Sequence, residues 1–462
     1  MSKVLFIYPN KEGYPGLHLG IAALSGILKH YGHEISLFDI TFMSQHLDHE
    51  AREKTGVVKK VDVEKYWGAR DKIGIEEGLR KKILSFQPDL LAFSIVENNF
   101  GCARKLFKIA KETTKAPIVV GGTFPTVAPE FFLKENNVDI VCRGEGEYAL
   151  LELVKRIQAG KNFLGIPNLI VKNNNKAVES DFAKYYSWED RVFADWDVFD
   201  QRHILKPFMG RIWRAGSFEM SRGCPFNCSY CANHVYQRIF KSLGKYRREK
   251  PLEFAISEME YMKKKYSLEL IFFNDENFLI MSEERFKEFC DKYPKRVGLP
   301  FYIQADAHTL LDDEKVRILK EIGCVTVGIG IESGNERIRA QLLEKRTPDS
   351  VYINAFSLCN KHKIRTTANV MIGLPFETER DIIIGAEFCK RLKTESITIS
   401  IFAPYHGTKL WQVCVENGFI EKKYYEDISM NYSSILNMPQ MPKEKIEELY
   451  YKFNNFVYNN QQ

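Results

Sequence analysis

Three cysteines fall within eight residues in the stretch SRGCPFNCSYC (221–231), and no other cysteines of the chain are clustered. Cys224, Cys228 and Cys231 are separated by three and then two residues, with an aromatic ring, Tyr230, just before the last thiol. Thiolates are soft metal ligands and nucleophiles, so this spacing admits three chemistries. A structural zinc site wants four ligands, typically in paired CxxC knuckles, but the chain has no second pair and His234 is the only nearby imidazole. Dithiol redox chemistry would employ Cys228 and Cys231 and leave Cys224 idle. A 4Fe-4S cluster held by three thiolates leaves one iron open to a substrate or cofactor. The other seven of the ten cysteines are scattered singly in apolar segments (Cys102, Cys142, Cys290, Cys324, Cys359, Cys389, Cys414). They are expected to be small buried hydrophobes in a reducing compartment. No acid/base pair stands out, so no catalytic residue is assigned beyond the thiols.

The elements around the triplet alternate. From about 216 to 410 six strand patterns (GSFEMS, ELIFFND, PFYIQAD, VTVGIGIE, TANVMIG, ITISIFAP) are separated by amphipathic helical stretches. Six strand–helix units are fewer than the eight that close a complete barrel, so a partial (β/α)6 TIM-like barrel is expected. Residues 1–150 repeat the alternation with short apolar runs (KVLFIYP, HEISLFDI, PDLLAFSIV, APIVVGG, VDIVCRG). Such runs between helices indicate a parallel sheet covered on both faces, a doubly wound, flavodoxin-like α/β domain whose ligands bind beyond the carboxyl ends of the strands. The permissive residues lie at those ends: Asn10, Ser94, Gly121-Gly122-Thr123 and Gly144-Glu145. No GxGxxG follows the first strand, so a dinucleotide fingerprint is absent. The charged segment 45–85 reads as an insertion or helical arm. Residues 151–215 read as a hairpin turning at Asn173–Asn175 and then an irregular linker, and 411–462 as a helical, aromatic tail.

CxxxCxxC with an aromatic before the last cysteine, at the end of a first barrel strand, resembles the radical S-adenosylmethionine enzymes. The resemblance implies that the open iron chelates the methionine part of S-adenosylmethionine, whose sulfonium is then cleaved to a 5′-deoxyadenosyl radical. Later strand ends carry the likeness further. FFNDENF (272–278) resembles the polar end of the family's second strand, which implies a cofactor contact for Asn274. YIQADAH (302–308) stands where relatives often carry Arg-x-Asp, with Gln304 in place of the Arg. GIESGNERIRAQLLEK (330–345) puts Glu332 and Ser333 at positions that reach the ribose or methionine part. VMIGLPFET (370–378) looks like the turn beside the adenine, with Gly373 and Leu374, and FAPYHGTKL (402–410) resembles the segment that closes the site. Tyr230 joins this S-adenosylmethionine set.

A doubly wound domain before such a barrel resembles the cobalamin-binding branch of the radical enzymes, and the likeness covers nearly the whole chain to about residue 410. It rests on YPN…GLHLGIAALSGILKHYGHEISLFD (8–39), GGTFPTVAPE (121–130) and RGEGEYALLEL (143–153). Relatives often have His where this chain has Phe124, while Thr126, Pro129 and Glu130 follow the pattern. The resemblance implies a corrin over the strand ends, contacted by Asn10, Ser94, Gly121, Gly122, Thr123, Thr126, Gly144 and Glu145. The Asp-x-His-x-x-Gly signature of a cobalt-ligating His is missing, and His18 reads as a helix-start residue.

The implied cofactors are thus a 4Fe-4S cluster, S-adenosylmethionine and cobalamin, and the implied activity is methyl transfer to an unactivated carbon of a small-molecule, lipid or peptide substrate. An electron donor such as flavodoxin or ferredoxin would serve it. Cyclisation, ring contraction or rearrangement without net methylation is the alternative; a non-enzymatic cobalamin or cluster sensor is a further one, although no recognition module such as a helix-turn-helix is visible. The bulk composition agrees with a globular enzyme, at 45% hydrophobic and 27% charged residues. A net charge of +6, dispersed along the chain, gives no nucleic-acid footprint. No apolar run approaches the roughly 18 residues of a spanning helix, and the N-terminus enters a strand pattern at once. A soluble, cytoplasmic protein is expected.

Overall fold

The computed structural model describes residues 1–11, 15–43, 47–56, 59–68, 73–173, 176–421 and 433–458. Two compact units emerge: Met1–Asp48, Asp62–Leu205 and Ile239–Gly244 form one, and His49–Val61, Lys206–Arg238 and Lys245–Gln462 the other.

The first unit is built on seven strands: β1 (Lys3–Tyr8), β2 (Glu34–Asp39), β3 (Leu90–Ser94), β4 (Ile118–Gly121), β5 (Ile140–Cys142), β6 (Leu169–Asn173) and β7 (Lys176–Glu179). Their order in the sheet is β2-β1-β3-β4-β5-β6-β7. The first five pair in parallel and carry the flavodoxin-like order, while β6 and β7 add antiparallel at the edge. The apolar runs are buried as expected of a sheet covered on both faces: Val4, Leu5, Ile7, Leu90, Leu91, Ile118, Val120, Ile140 and Val141 are all fully shielded. Residues 174 and 175 of the expected hairpin turn lie outside the described residues, but the flanking register, Asn173 opposite Lys176, makes the hairpin plain. Part of the charged segment 45–85 is neither insertion nor arm. The helix Ile75–Phe86 is the crossover between β2 and β3, and it buries Leu79 and Ile83.

The second unit holds an open sheet in the order β16-β15-β14-β13-β12-β9-β8, formed by β8 (Leu205–Phe208), β9 (Arg211–Phe218), β12 (Leu270–Phe273), β13 (Phe301–Ala305), β14 (Cys324–Glu332), β15 (Arg365–Ile372) and β16 (Ser396–Ile401). A two-stranded ribbon, β10 (Ser221–Arg222) with β11 (Arg248–Glu249), lies apart from it. Six strands pair in parallel, each followed by a helix, as the six sequence patterns require. The difference is at the start. β8 and the first part of β9 fall inside the stretch read as irregular, joined by Met209 and Gly210 at φ 52° and 78°. Two successive left-handed residues are the signature of a tight hairpin turn. Aromatic packing fixes the strand layer against its helices: Phe273 touches Phe278, Phe289, Tyr293 and Phe301 at centroid distances of 4.6 to 6.1 Å. Each such ring contributes about 2–3 kcal/mol by burial. The final helix, Lys443–Tyr458, buries Ile446, Leu449, Tyr450 and Phe453, so part of the tail is a packing element; Tyr424, Tyr425 and Tyr432 lie outside the described residues. Among the described residues no helix is long and apolar enough to cross a membrane.

Candidate active site

The cysteine loop leaves β10 through Gly223, whose φ of 86° and close approach to the Tyr246 ring exclude a side chain; a Cβ there would lie 2.8 Å from the ring. The loop ends at Cys231, which immediately precedes the helix Ala232–Ile239. That helix grips the loop from one side. The Gln237 amide donates to the carbonyls of Cys224 (2.9 Å) and Phe226 (3.0 Å), and His234 Nδ1–H donates to the Cys228 carbonyl at 3.0 Å. From the other side Ser229 is pinned: its hydroxyl donates to Leu342 O (2.6 Å), its N–H to Leu343 O (3.1 Å), and its carbonyl accepts from Leu410 N (3.1 Å). The backbone that carries the three thiols is therefore held at each of its segments before any ligand arrives.

All three thiols are free, half-buried and on the wall of one cavity of about 640 Å³, a size suited to a cofactor or small ligand. Burial pushes the Cys224 thiol up to about 11 and raises Cys228 and Cys231 as well. Buried thiolates without a cation are unfavourable, so this donor set suits an electropositive occupant. Among the described residues no three His, Cys, Asp or Glu side chains are gathered around a single point as one metal ion requires. Three soft sulfurs spread along one wall, with no fourth cysteine lining it among the described residues, fit an iron–sulfur cluster with one open iron better than a zinc ion.

The remaining wall comes from the ends of β12, β13 and β14. Asn274 and Gln304, both expected from sequence, line it, as do Tyr230 and Glu332. Gln304 Oε1 accepts from Asn369 Nδ2 at 3.4 Å. Glu332 is a non-glycine residue at φ 68°, beside a register shift between β14 and β15; such strain persists only where neighbours enforce it. Its carboxylate is 3.5 Å from Lys345 Nζ, and the Tyr230 hydroxyl bonds to it as well. Lys345 also donates to Gly330 O. Burial works against the Lys345 charge, but Tyr352, Glu332, Asp306 and Cys228 outweigh it and hold the ammonium above the ordinary lysine range. Gly330 has no side chain because a Cβ would meet Glu332 Oε1 at 2.3 Å and Lys345 Nζ at 3.1 Å. On the same wall, Asp275 accepts from Ser221 Oγ and from Met220 N (3.0 Å), and burial raises its carboxyl to about 7.

Three expected S-adenosylmethionine contacts stand off this cavity. Ser333 is buried, its hydroxyl accepting from Asn335 N and its carbonyl from Arg339. The Gly373 and Leu374 N–H groups donate to the Glu377 carboxyl at 2.7 and 3.1 Å, and Gly373 is packed against Ile446. Conversely, Lys345, Arg346, Tyr302 and Asn233 line the cavity and were not singled out from sequence. Lys345 ends the quoted segment GIESGNERIRAQLLEK, and a cation at that point was its available signal.

In the first unit the candidate corrin contacts gather at the strand ends, several with internal partners. Asn10 Nδ2 donates to Thr41 Oγ1 at 2.8 Å, and Ser94 Oγ meets His18 Nε2 at 2.9 Å. Thr126 Oγ1 donates to Gly122 O and accepts from Gly144 N, and the Glu145 carboxylate accepts from Tyr186 N. Gly144 faces the Phe240 ring, where a Cβ would come within 2.7 Å. Gly121 and Gly122 are half-exposed and Thr123 is exposed at the carboxyl end of β4, a flat, small-residue surface over which an extended ring system can lie. His18 caps the helix Leu19–His30, its Nδ1 accepting from Ile21 N at 3.1 Å. Burial lowers its pKa to about 4. Both ring nitrogens of a neutral imidazole are thus engaged, and His18 has no lone pair left for a metal. Of the seven scattered cysteines, five are buried, while Cys102 and Cys290 are half-buried, each on a partly exposed helix face.

The geometry has relatives. A family model described as the radical SAM superfamily matches residues 218–389, and one described as a B12 binding domain matches residues 10–154. An uncharacterized methyltransferase of Pyrococcus horikoshii is 29% identical over 349 residues, covering 74% of this chain and 72% of the relative. An anaerobic magnesium-protoporphyrin IX monomethyl ester cyclase of Rubrivivax gelatinosus is 25% identical, over 73% of this chain but only 60% of the relative. The fold is similar to that of the radical S-adenosylmethionine methyltransferase TsrM from Kitasatospora setae, a structure with cobalamin and a 4Fe-4S cluster bound; the TM-score is 0.69 at 18% identity, covering 98% of this chain and 85% of that one. A cysteine triplet on an open barrel cavity, a flavodoxin-like sheet ahead of it, and matches to both family models lead to one assignment: the chain belongs to the cobalamin-binding radical S-adenosylmethionine enzymes.

Proposed function

We propose that the protein is a cobalamin-dependent radical S-adenosylmethionine methyltransferase acting on an unactivated carbon. One observation carries the reading: three thiols, with no fourth cysteine beside them among the described residues, line a cavity of about 640 Å³ in a chain that also matches a B12 binding domain. When bound, the cluster supplies the electron that cleaves the sulfonium of S-adenosylmethionine, and the corrin carries the methyl group. The chain's own residues bind and orient. Cys224, Cys228 and Cys231 hold the cluster. Lys345 offers a half-buried cation to the methionine carboxylate, while Glu332 and Asn274 offer acceptors to the amino and ribose groups. Gly121, Gly122 and Thr123 offer the corrin a flat seat with no imidazole from His18. The domain assignment follows: residues 1–150 take the corrin, 151–215 connect, 216–410 form the radical barrel, and the tail packs on it. A low-potential donor of the flavodoxin or ferredoxin class supplies the electron.

The similarity to the cyclase favours a second reading, ring closure without net methylation. The two differ in products. The anaerobically reconstituted protein with a chemical reductant and S-adenosylmethionine is expected to form S-adenosylhomocysteine only when hydroxocobalamin is added. Formation of 5′-deoxyadenosine alone, with no cobalamin-dependent S-adenosylhomocysteine, would favour the ring-forming reading.

A further inference from the structure

The thiol at Cys231 differs from an ordinary loop cysteine in what surrounds it. It stands at the cap position of the helix Ala232–Ile239, and Asn233 reaches back to it twice: the backbone N–H and the side-chain Nδ2 each lie 3.5 Å from Sγ. The backbone contact is the ordinary capping bond of a helix start, with sulfur in place of the usual oxygen. The side-chain contact is not required by helix geometry. Asn233 is half-buried on the cavity wall, so its amide could have turned to solvent or to a ligand; instead it is aimed at the sulfur.

We propose that the Asn233 side-chain amide sets the reduction potential of the cluster by donating an N–H···S hydrogen bond to the Cys231 ligand. The inference rests on the reading of the three cysteines as cluster ligands. Reduction adds one electron to the cluster, drawn from the external reductant, with no bond made or broken and no proton taken up. The reduced cluster places more negative charge on its thiolates, so a donor at sulfur stabilises the reduced state more than the oxidised one and raises the potential. The helix N-terminus at the same sulfur acts in the same direction. Asn233 is a positioning residue in this scheme: it acts through the cysteine and touches no reacting atom.

The test is a potentiometric titration of the reconstituted protein without S-adenosylmethionine, the reduced cluster being counted by electron paramagnetic resonance. Wild type is compared with Asn233→Ala, Asn233→Ser and Asn233→Asp. A more negative midpoint is expected for Ala, an intermediate one for Ser, whose hydroxyl can still donate, and the most negative for Asp, which replaces the donor with a carboxylate. A purely structural role would change iron content but give the retained clusters an unshifted midpoint. If Asn233→Ala assembles no cluster, the neutral Ser variant carries the comparison, because the charge of Asp lowers the midpoint whether or not the amide donates. Midpoints equal to wild type in the cluster-bearing variants overturn the proposal; wild-type protein that assembles no cluster overturns it together with the reading on which it rests.

Discussion

Replacing Glu377 with Gln should alter the pH dependence of stability in a way that can be worked from the structure. The carboxyl is 2% exposed and accepts the N–H groups of Gly373 and Leu374. Burial raises it from 4.5 to about 8, with Asp381 adding to the rise and the two N–H donors opposing it. The folded state therefore holds a proton that the unfolded state has released, between the unfolded pKa near 4.5 and the folded one near 8. In that window the unfolded state binds fewer protons, so stability falls as pH rises. Each pH unit of the gap is worth about 1.4 kcal/mol, so the full window amounts to at most roughly 5 kcal/mol, and a shift half as large leaves about 2 kcal/mol. Glu377→Gln keeps an acceptor for both N–H groups and cannot ionise. Urea unfolding of the second unit's signal at pH 5 and at pH 8.5 should show the variant gaining on wild type as pH rises. Parallel dependence in the two proteins would refute the reasoning and mean that the carboxyl ionises at no cost inside the fold.

Other perturbations have equally definite outcomes. Gly223→Ala places a Cβ against the Tyr246 ring at a left-handed position; a cost of about 1–3 kcal/mol in the loop is expected, seen as fewer irons retained per chain by colorimetric assay. His18→Ala removes the helix cap and the Ser94 contact; it should lower first-unit stability by about 1–2 kcal/mol in thermal unfolding while leaving the visible spectrum of bound cobalamin unchanged. Lys345→Gln removes the cation facing Glu332 and the cavity; equilibrium dialysis should find S-adenosylmethionine binding weakened about tenfold or more, in line with losing a charge-assisted hydrogen bond of about 1.5–3 kcal/mol.

Much of this was legible before the structure. Helices separating short apolar runs gave away both parallel sheets, because a strand buried on two faces can be written in few other ways. The Cys spacing picked out three thiols that the fold does bring to one cavity wall. What sequence could not convey was decided by tertiary partners. The hairpin β8–β9 was hidden in LKPFMGRIWR, where Pro207 and mixed polarity mask a short edge strand. Ser333, Gly373 and Leu374 sit at the right strand ends but are claimed by Asn335, Arg339, Glu377 and Ile446 from elsewhere in the unit. Gly144 answers to Phe240, nearly a hundred residues later. Lys345 is an ordinary surface residue type, and only the fold brings it to the cavity, whereas Asn233 arrives there with Cys231 two residues before it.

The most direct test of the central claim is a count. The protein is reconstituted anaerobically with iron, sulfide and hydroxocobalamin, desalted, and assayed for metal and corrin per chain. About four irons and about one retained cobalamin are expected, as one three-thiolate cluster and one corrin domain require. A full cluster with no retained corrin would contradict it, leaving a radical enzyme whose first unit serves another ligand.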